Sequence, residues 1–261
     1  MPAILVSITT LQPLLATSFQ GDPNSDVSYD YIPGSMIRGA LIGRYLKQKQ
    51  QPELNLDDAE VQRLFFNADS TRYLNAYLVS KQEYHRTLPV PRSWYKQKDD
   101  ELTENSSISI YDFSVERNEN LELPKSISGQ FCTLEDSYMR LYQTDRRINI
   151  HNQRDRRKGR SSKQEDRPNS EGEIFRYDAL DAGQTFQTAI LYDQQDTELL
   201  KQLLTQKDLW LGGSRSAGYG HTHITYEIKD DWQETQPSED DNANSNWLTI
   251  SLLSDVLLQD A

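Results

Sequence analysis

YIPGSMIRGALIGRYLKQKQ, residues 31–50, carries the pattern from which the fold is read. Ser35 suits an N-cap, because its hydroxyl can accept a hydrogen bond from an unpaired N–H of a first helical turn. Ile37, Leu41 and Tyr45 recur at i, i+4 and i+8, and Ala40 widens that stripe. The spacing predicts a helix over about 36–50 with one apolar face that must be covered. Upstream, AILVSITTL (3–11) is β-rich and reads as a strand. QGDPNSDVSYD, with Gly21, Pro23 and Asn24 as breakers, forms a polar loop between the two.

Downstream, 57–66 repeats a shorter helical pattern, and TRYLNAYLV (71–79) reads as a strand. HRTLPVPRSWYKQK (85–98) holds two prolines and is expected to be an extended loop. Residues 97–128 are polar and patternless, which predicts a long surface excursion. Strand signals return at 129–142 and 146–151, and 152–172 is charged throughout. EIFRYDAL (173–180) and QTFQTAILY (184–192) flank Asp181, Ala182 and Gly183, the layout of a hairpin. A leucine-striped helix is expected at about 195–207, then LGGSRSAGYG (211–220), then a last strand, HTHITYEI (221–228). The order fits an α+β chain of β-α-β-β-α-β type with insertions at about 97–128 and 152–172, spanning 1–229. Residues 230–246 form an acidic linker, and the apolar 247–261 reads as the start of a second module or a docking tail.

Composition narrows the function. Of 261 residues 36% are hydrophobic, with 14 Tyr, 7 Phe and 4 Trp, enough for a packed core. No stretch approaches the ~20 apolar residues of a membrane span. The apolar N-terminus lacks a basic flank and alternates like a strand rather than a signal peptide. The single cysteine, Cys132, permits no internal disulfide, which fits a cytoplasmic protein. The net charge of -12 opposes nucleic-acid binding when taken whole. Its distribution does not: the linker alone supplies six acids and no base, whereas DRRINIHNQRDRRKGR (145–160) carries +5.

That basic run presents Arg146, Arg147, Arg154, Arg156 and Arg157, whose guanidinium groups match phosphate oxygens in bidentate geometry. In the glycine loop, Gly212, Gly213, Gly218 and Gly220 allow close backbone approach to a phosphate. Arg215 could reach one, and Tyr219 could stack on a base. The loop fits neither the P-loop nor the dinucleotide fingerprint. Asp22, Asp26 and Asp30 are carboxylates that could support metal-assisted cleavage, although polar turn residues are far commoner in such a loop. His85 and His151 are candidates for metal-independent attack by a 2′-hydroxyl. His221 and His223 share a strand face but lack a visible third ligand, so no metal site is assigned.

YIPGSMIRGALIGRY resembles the IPGS-type element that opens the first helix of CRISPR-associated RAMP proteins, and LWLGGSRSAGYGHTHI resembles their C-terminal glycine-rich loop. RINIHNQRDRRKGRSS with EGEIFRYDALDAGQTFQTAI resembles the central block of the type III-D group Csx-ten. The resemblance implies a ferredoxin-like (RRM-type) fold. It also implies a subunit that holds CRISPR RNA, contacts target RNA in some relatives, and packs against other effector subunits. By position it makes Ser35, Arg38 and the glycine-loop residues RNA contacts. It makes Asp26, ahead of Asp22, the candidate for a catalytic aspartate, the one case in which a divalent metal would be needed; otherwise no cofactor is expected. A non-catalytic RNA-binding subunit is the leading expectation. A metal-dependent backbone ribonuclease and a histidine-based processing ribonuclease are the alternatives.

Overall fold

The computed structural model describes residues 1–18, 25–81, 84–101, 108–114, 121–135, 138–152 and 174–233. In chain order its elements are β1 (Ala3–Thr10), β2 (Ser25–Val27), α1 (Gly34–Lys49), α2 (Ala59–Val61, continuing as a π-helical turn over Gln62–Phe66), β3 (Arg72–Tyr73), β4 (Tyr77–Leu78), β5 (Leu88–Pro89), β6 (Trp94–Gln97), β7 (Tyr111–Asp112), β8 (Pro124–Ser126), β9 (Phe131–Glu135), β10 (Tyr138–Tyr142), β11 (Arg146–Asn152), β12 (Ile174–Leu180), β13 (Thr185–Leu191), α3 (Thr197–Leu204), β14 (Asp208–Trp210) and β15 (His221–Lys229). The chain is therefore mixed α and β, rich in short strands and poor in helix. Among the described residues no helix is long and apolar enough to cross a membrane. Among the described residues two compact units emerge, one built on 1–79 with 144–233, the other on 80–143.

The first unit is organised by an antiparallel sheet in the order β14-β15-β1-β13-β3, with β4 also pairing to β13. β1 lies inside this sheet because its alternation is strict: Ile4, Val6 and Ile8 are buried while Leu5, Ser7 and Thr9 are only half-buried. The register sets Ile8 against Phe186 and Ile224, and Ile4 against Ile190 and Ile228. Each such aliphatic burial is worth ~1.5–3 kcal/mol. α1 buries the predicted Ile37, Leu41 and Tyr45, and α3 buries Leu200, Leu203 and Leu204. α1 packs on α3 and β3, and α3 packs on β15.

Four sequence expectations change. Ser35 does not cap α1; it is exposed within the first turn, and Pro33 stands at the N-cap without a side-chain bond. Asn75 supplies the missing acceptor, its Oδ1 taking the Gly34 N–H at 2.9 Å. For the same reason 71–79 is not one strand: it splits into β3 and β4, and Ala76 pairs with Ile32 through two backbone bonds of 2.8 and 3.0 Å. The stretch 85–128 is not all loop; β5 to β8 lie within it, too short to show a period.

Most consequential, β12 and β13 are not a hairpin. β13 joins β1, whereas β12 lies in a separate sheet, antiparallel to β11 and parallel to β2. The turn between them spends its polar groups elsewhere. Asp181 N–H bonds the Asp145 carbonyl at 2.9 Å, Gly183 N–H bonds the Thr10 carbonyl at 2.7 Å, and the Gln184 amide donates to Asp145 and Asp181 carbonyls. Turn residues alone do not say whether the second strand returns to the first or to a neighbour.

The second unit holds two three-stranded sheets, β10-β9-β5 and β7-β6-β8. Phe131 and Cys132 are buried there, and burial pushes the Cys132 thiol up to about 11. Tyr95 stacks on Phe113 at 4.5 Å. The predicted insertion at 152–172, the acidic linker and the 247–261 tail fall almost wholly outside the described residues.

One ion pair ties the first unit's helical segments together. Arg63, in the π-turn, meets Asp196, just before α3, through two bonds of 2.7 Å, and Asp196 is only 2% exposed. Removing the cation strands a buried carboxylate, which costs ~3–5 kcal/mol. Arg63→Met is expected to lower the unfolding free energy by that amount, read as a lower urea midpoint with an unchanged denaturant slope by far-UV circular dichroism; Arg72→Met, at an exposed position, is the control expected to leave it nearly unmoved.

Candidate nucleic-acid interface

The glycine loop is rigid at its base and open at its tip. Leu211 N–H bonds the Gly220 carbonyl at 2.9 Å, closing the loop, and Gly220 N–H bonds the Pro13 carbonyl at 2.9 Å. Gly220 has φ +86, and a Cβ there would lie 2.1 Å from the Leu211 carbonyl oxygen. Gly212 has φ +71, and its Cβ would lie 2.4 Å from the Leu15 carbonyl oxygen. These two glycines are required by the fold. Gly213 differs: it is exposed, and a Cβ added there meets nothing within 4 Å. The loop's exposed tip is Gly213 with Arg215, Ser216, Ala217 and Gly218.

Tyr219 does not stand out as a stacking residue. It is 2% exposed and packs with Leu15 and Ala179, with Tyr177 against it. Its hydroxyl accepts from Asn149 Nδ2 at 2.7 Å and lies 3.0 Å from His151 Nε2. His151 in turn packs on Tyr177 at 4.7 Å between ring centroids, and the Ser214 hydroxyl reaches the Tyr177 hydroxyl at 3.4 Å. The buried tyrosine thus bolts the glycine loop to β11. Alternation along β11 sets Arg147, Asn149 and His151 on one face. The result is a cleft of about 340 Å³ lined by Pro13, Arg147, Asn149, His151, Gly218 and Tyr219, among others.

The two arginines that open β11 divide their labour. Arg146 is committed to the fold: Nε donates to Asp178 at 2.7 Å, Nη1 to Asp30 at 2.7 Å and Nη2 to the Ser28 carbonyl at 2.9 Å. Asp30 is therefore a salt-bridge partner; burial raises its carboxyl above the ordinary range despite the opposing pull of Arg146. Arg147 points away, its side chain 56% exposed with only a 3.8 Å approach to Asp181. Such an exposed pair is worth little and leaves the guanidinium available.

The other expected residues scatter. Arg38 donates to the Phe65 carbonyl at 3.2 Å and sits over the Phe66 ring, stitching α1 to the π-turn. Neither it nor Ser35 lines the cleft. Asp26 is not in a loop but in β2, in register with Tyr177, and it does not line the cleft either. Among the described residues no three His, Cys, Asp or Glu side chains group as a metal site. His85 is exposed and belongs to the second unit. Asp22, Arg154, Arg156 and Arg157 lie outside the described residues. Asn149 escaped the sequence reading, although its place between Arg147 and His151 at period two was a usable signal. At the loop's entrance Arg215 Nη2 donates to the Trp210 carbonyl at 3.3 Å. Trp210 stacks on His221, its register partner across β14 and β15, and His221 Nε2 lies 2.8 Å from Asp208 Oδ1.

The RAMP superfamily model matches residues 7–223, which include the cleft and the glycine loop. No curated protein sequence matches the chain. Among solved structures, the chain is similar to a subunit of apo type III-B Cmr-beta, at 12% identity and TM-score 0.46, over 86% of this chain and 96% of that one. A Cmr-beta structure bound to cognate target RNA is similar at 15% identity and TM-score 0.46, over 88% and 61%. Oligomeric Cmr4 from Pyrococcus furiosus is similar at 13% identity and TM-score 0.38, over 89% and 100%.

The loop's two kinds of glycine make a measurable contrast. Gly220→Ala sets a side chain at positive φ against a backbone carbonyl, and is expected to cost at least ~2 kcal/mol in a thermal or urea melt. Gly213→Ala is expected to stay within ~0.5 kcal/mol of the parent.

Proposed function

The chain belongs to the RAMP superfamily, and from that premise we propose that it is an RNA-binding subunit of a type III CRISPR effector ribonucleoprotein, acting in antiviral defence and packing against other subunits. The observation that carries this reading is the cleft between β11 and the glycine loop. It joins an exposed guanidinium at Arg147, polar side chains at Asn149 and His151, and loop backbone at Gly218. Phosphate contacts need cations, and ribose or base edges need polar side chains of this kind. In sequence, β11 is followed within a few residues by the arginine-rich stretch 154–160. The acidic remainder keeps the subunit soluble and suits basic partner surfaces.

The finer fold reading supports this. Taking β3 and β4 as one interrupted strand, the sheet order β15-β1-β13-β3, with α1 after β1 and α3 after β13, is the order of a ferredoxin-like β-α-β-β-α-β unit, extended by β14. On this view the 1–229 span is the RAMP domain, and the Ser80–Gln143 unit is its principal insertion.

Short RNAs sharing one repeat-derived end are expected to co-purify with the tagged full chain from its native host, together with other subunits. Recovery without RNA overturns the reading. In filter binding with single-stranded RNA, Arg147→Ala is expected to weaken binding and reduce the salt slope by about one. Arg146→Ala is expected instead to lower the melting temperature.

A further inference from the structure

The stack at the mouth of the glycine loop is not part of the cleft and has its own geometry. Trp210 and His221 are register partners on adjacent strands, with ring centroids 4.5 Å apart and planes 10° apart. That separation is close to the strand spacing of about 4.7–4.9 Å, so the ring normals run along the inter-strand direction. His221 therefore covers the inner face of the indole. β14 is the edge strand of the sheet, so the outer face of Trp210 looks off the edge, where no described strand follows. The residue is 37% exposed.

This arrangement is held from behind. Asp208 Oδ1, 2.8 Å from His221 Nε2, fixes the imidazole plane, and Leu209, between Asp208 and Trp210, is buried in the core. The indole is thus a flat apolar surface that is already oriented, so a planar partner would lose little freedom in meeting it. Arg215 stands beside it on the Trp210 carbonyl, with guanidinium donors left over for an anion. A planar aromatic group covalently next to an anion describes a nucleotide of single-stranded nucleic acid.

Resting on the reading of the chain as an RNA-binding subunit, we propose that Trp210, backed by His221, is a stacking platform for one unpaired RNA base, with Arg215 taking the adjoining phosphate. The platform is tolerant of sequence, because every base offers a π-face and no hydrogen-bonding edge is read. It continues the RNA path from the cleft along the glycine loop to the sheet edge.

The test uses the full chain and short single-stranded RNA in anisotropy titrations, with a 2-aminopurine-containing RNA as a stacking reporter. Trp210→Ala is expected to weaken binding about tenfold, to leave the salt slope unchanged, and to abolish the 2-aminopurine quench seen with the parent protein. Trp210→Phe is expected to retain most of both, and a matching thermal melt shows that these losses are not unfolding. Parent binding with no quench, or with Trp210→Ala binding as tightly as the parent, overturns the platform while leaving the RNA reading intact, and makes the exposed indole a protein contact instead. Absence of RNA binding by the parent protein overturns both.

Discussion

The chain leaving β1 is held on both sides by backbone, and the cleft exists because of it. Pro13 accepts from Gly220, Leu14 and Leu180 exchange bonds of 2.8 and 3.0 Å, and Ala16 N–H is taken by the Ser28 hydroxyl at 3.1 Å. One side of this short segment anchors the glycine loop; the other anchors β12 and the strand region before α1. Neither the loop nor the β11-β12-β2 sheet belongs to the central sheet's core. Their mutual position is inherited from residues 10–16, and the Tyr219 hydroxyl locks it from the far side.

The arginines show how an acidic protein can keep a basic site. Arg38, Arg44, Arg63 and Arg146 are all turned inward onto carbonyls or carboxylates. They hold segments that the sequence separates widely, such as Arg44 reaching the Leu203 carbonyl in the last turn of α3 and the Gln206 and Asp208 carbonyls beyond it. Arg147 and Arg215 keep guanidinium groups exposed. Counting basic residues in a stretch therefore overstates its electrostatic reach. The decisive matter is which cations the fold has already neutralised.

The elements with a strong period were legible from sequence. β1, α1, α3 and β15 were placed within a few residues, because each combines length with a clear apolar repeat. What was illegible was connection. Nothing local distinguishes a hairpin from a strand that crosses to another sheet, since the deciding bonds, from Asp181 to Asp145 and from Gly183 to Thr10, join distant segments. The site divides in the same way. The glycine loop was visible as a motif, but Tyr219 was expected to face the ligand and instead faces Asn149 and His151. An aromatic residue between two glycines reads as exposed, and only tertiary packing reveals that it is buried.

The edge of β14 carries a further meaning. The Lys207 carbonyl and the Leu211 N–H are bonded to β15, so the intervening carbonyls of Asp208 and Trp210 face outward, and Arg44 and Arg215 donate to them. A strand from a second molecule, approaching to extend the sheet, would find its acceptors already taken and two positive charges in its way. Unguarded edges invite runaway polymerisation, in which identical chains add indefinitely by backbone pairing. Here the outward carbonyls are already engaged, which disfavours backbone pairing and favours association through side chains, and side chains can tell one partner from another.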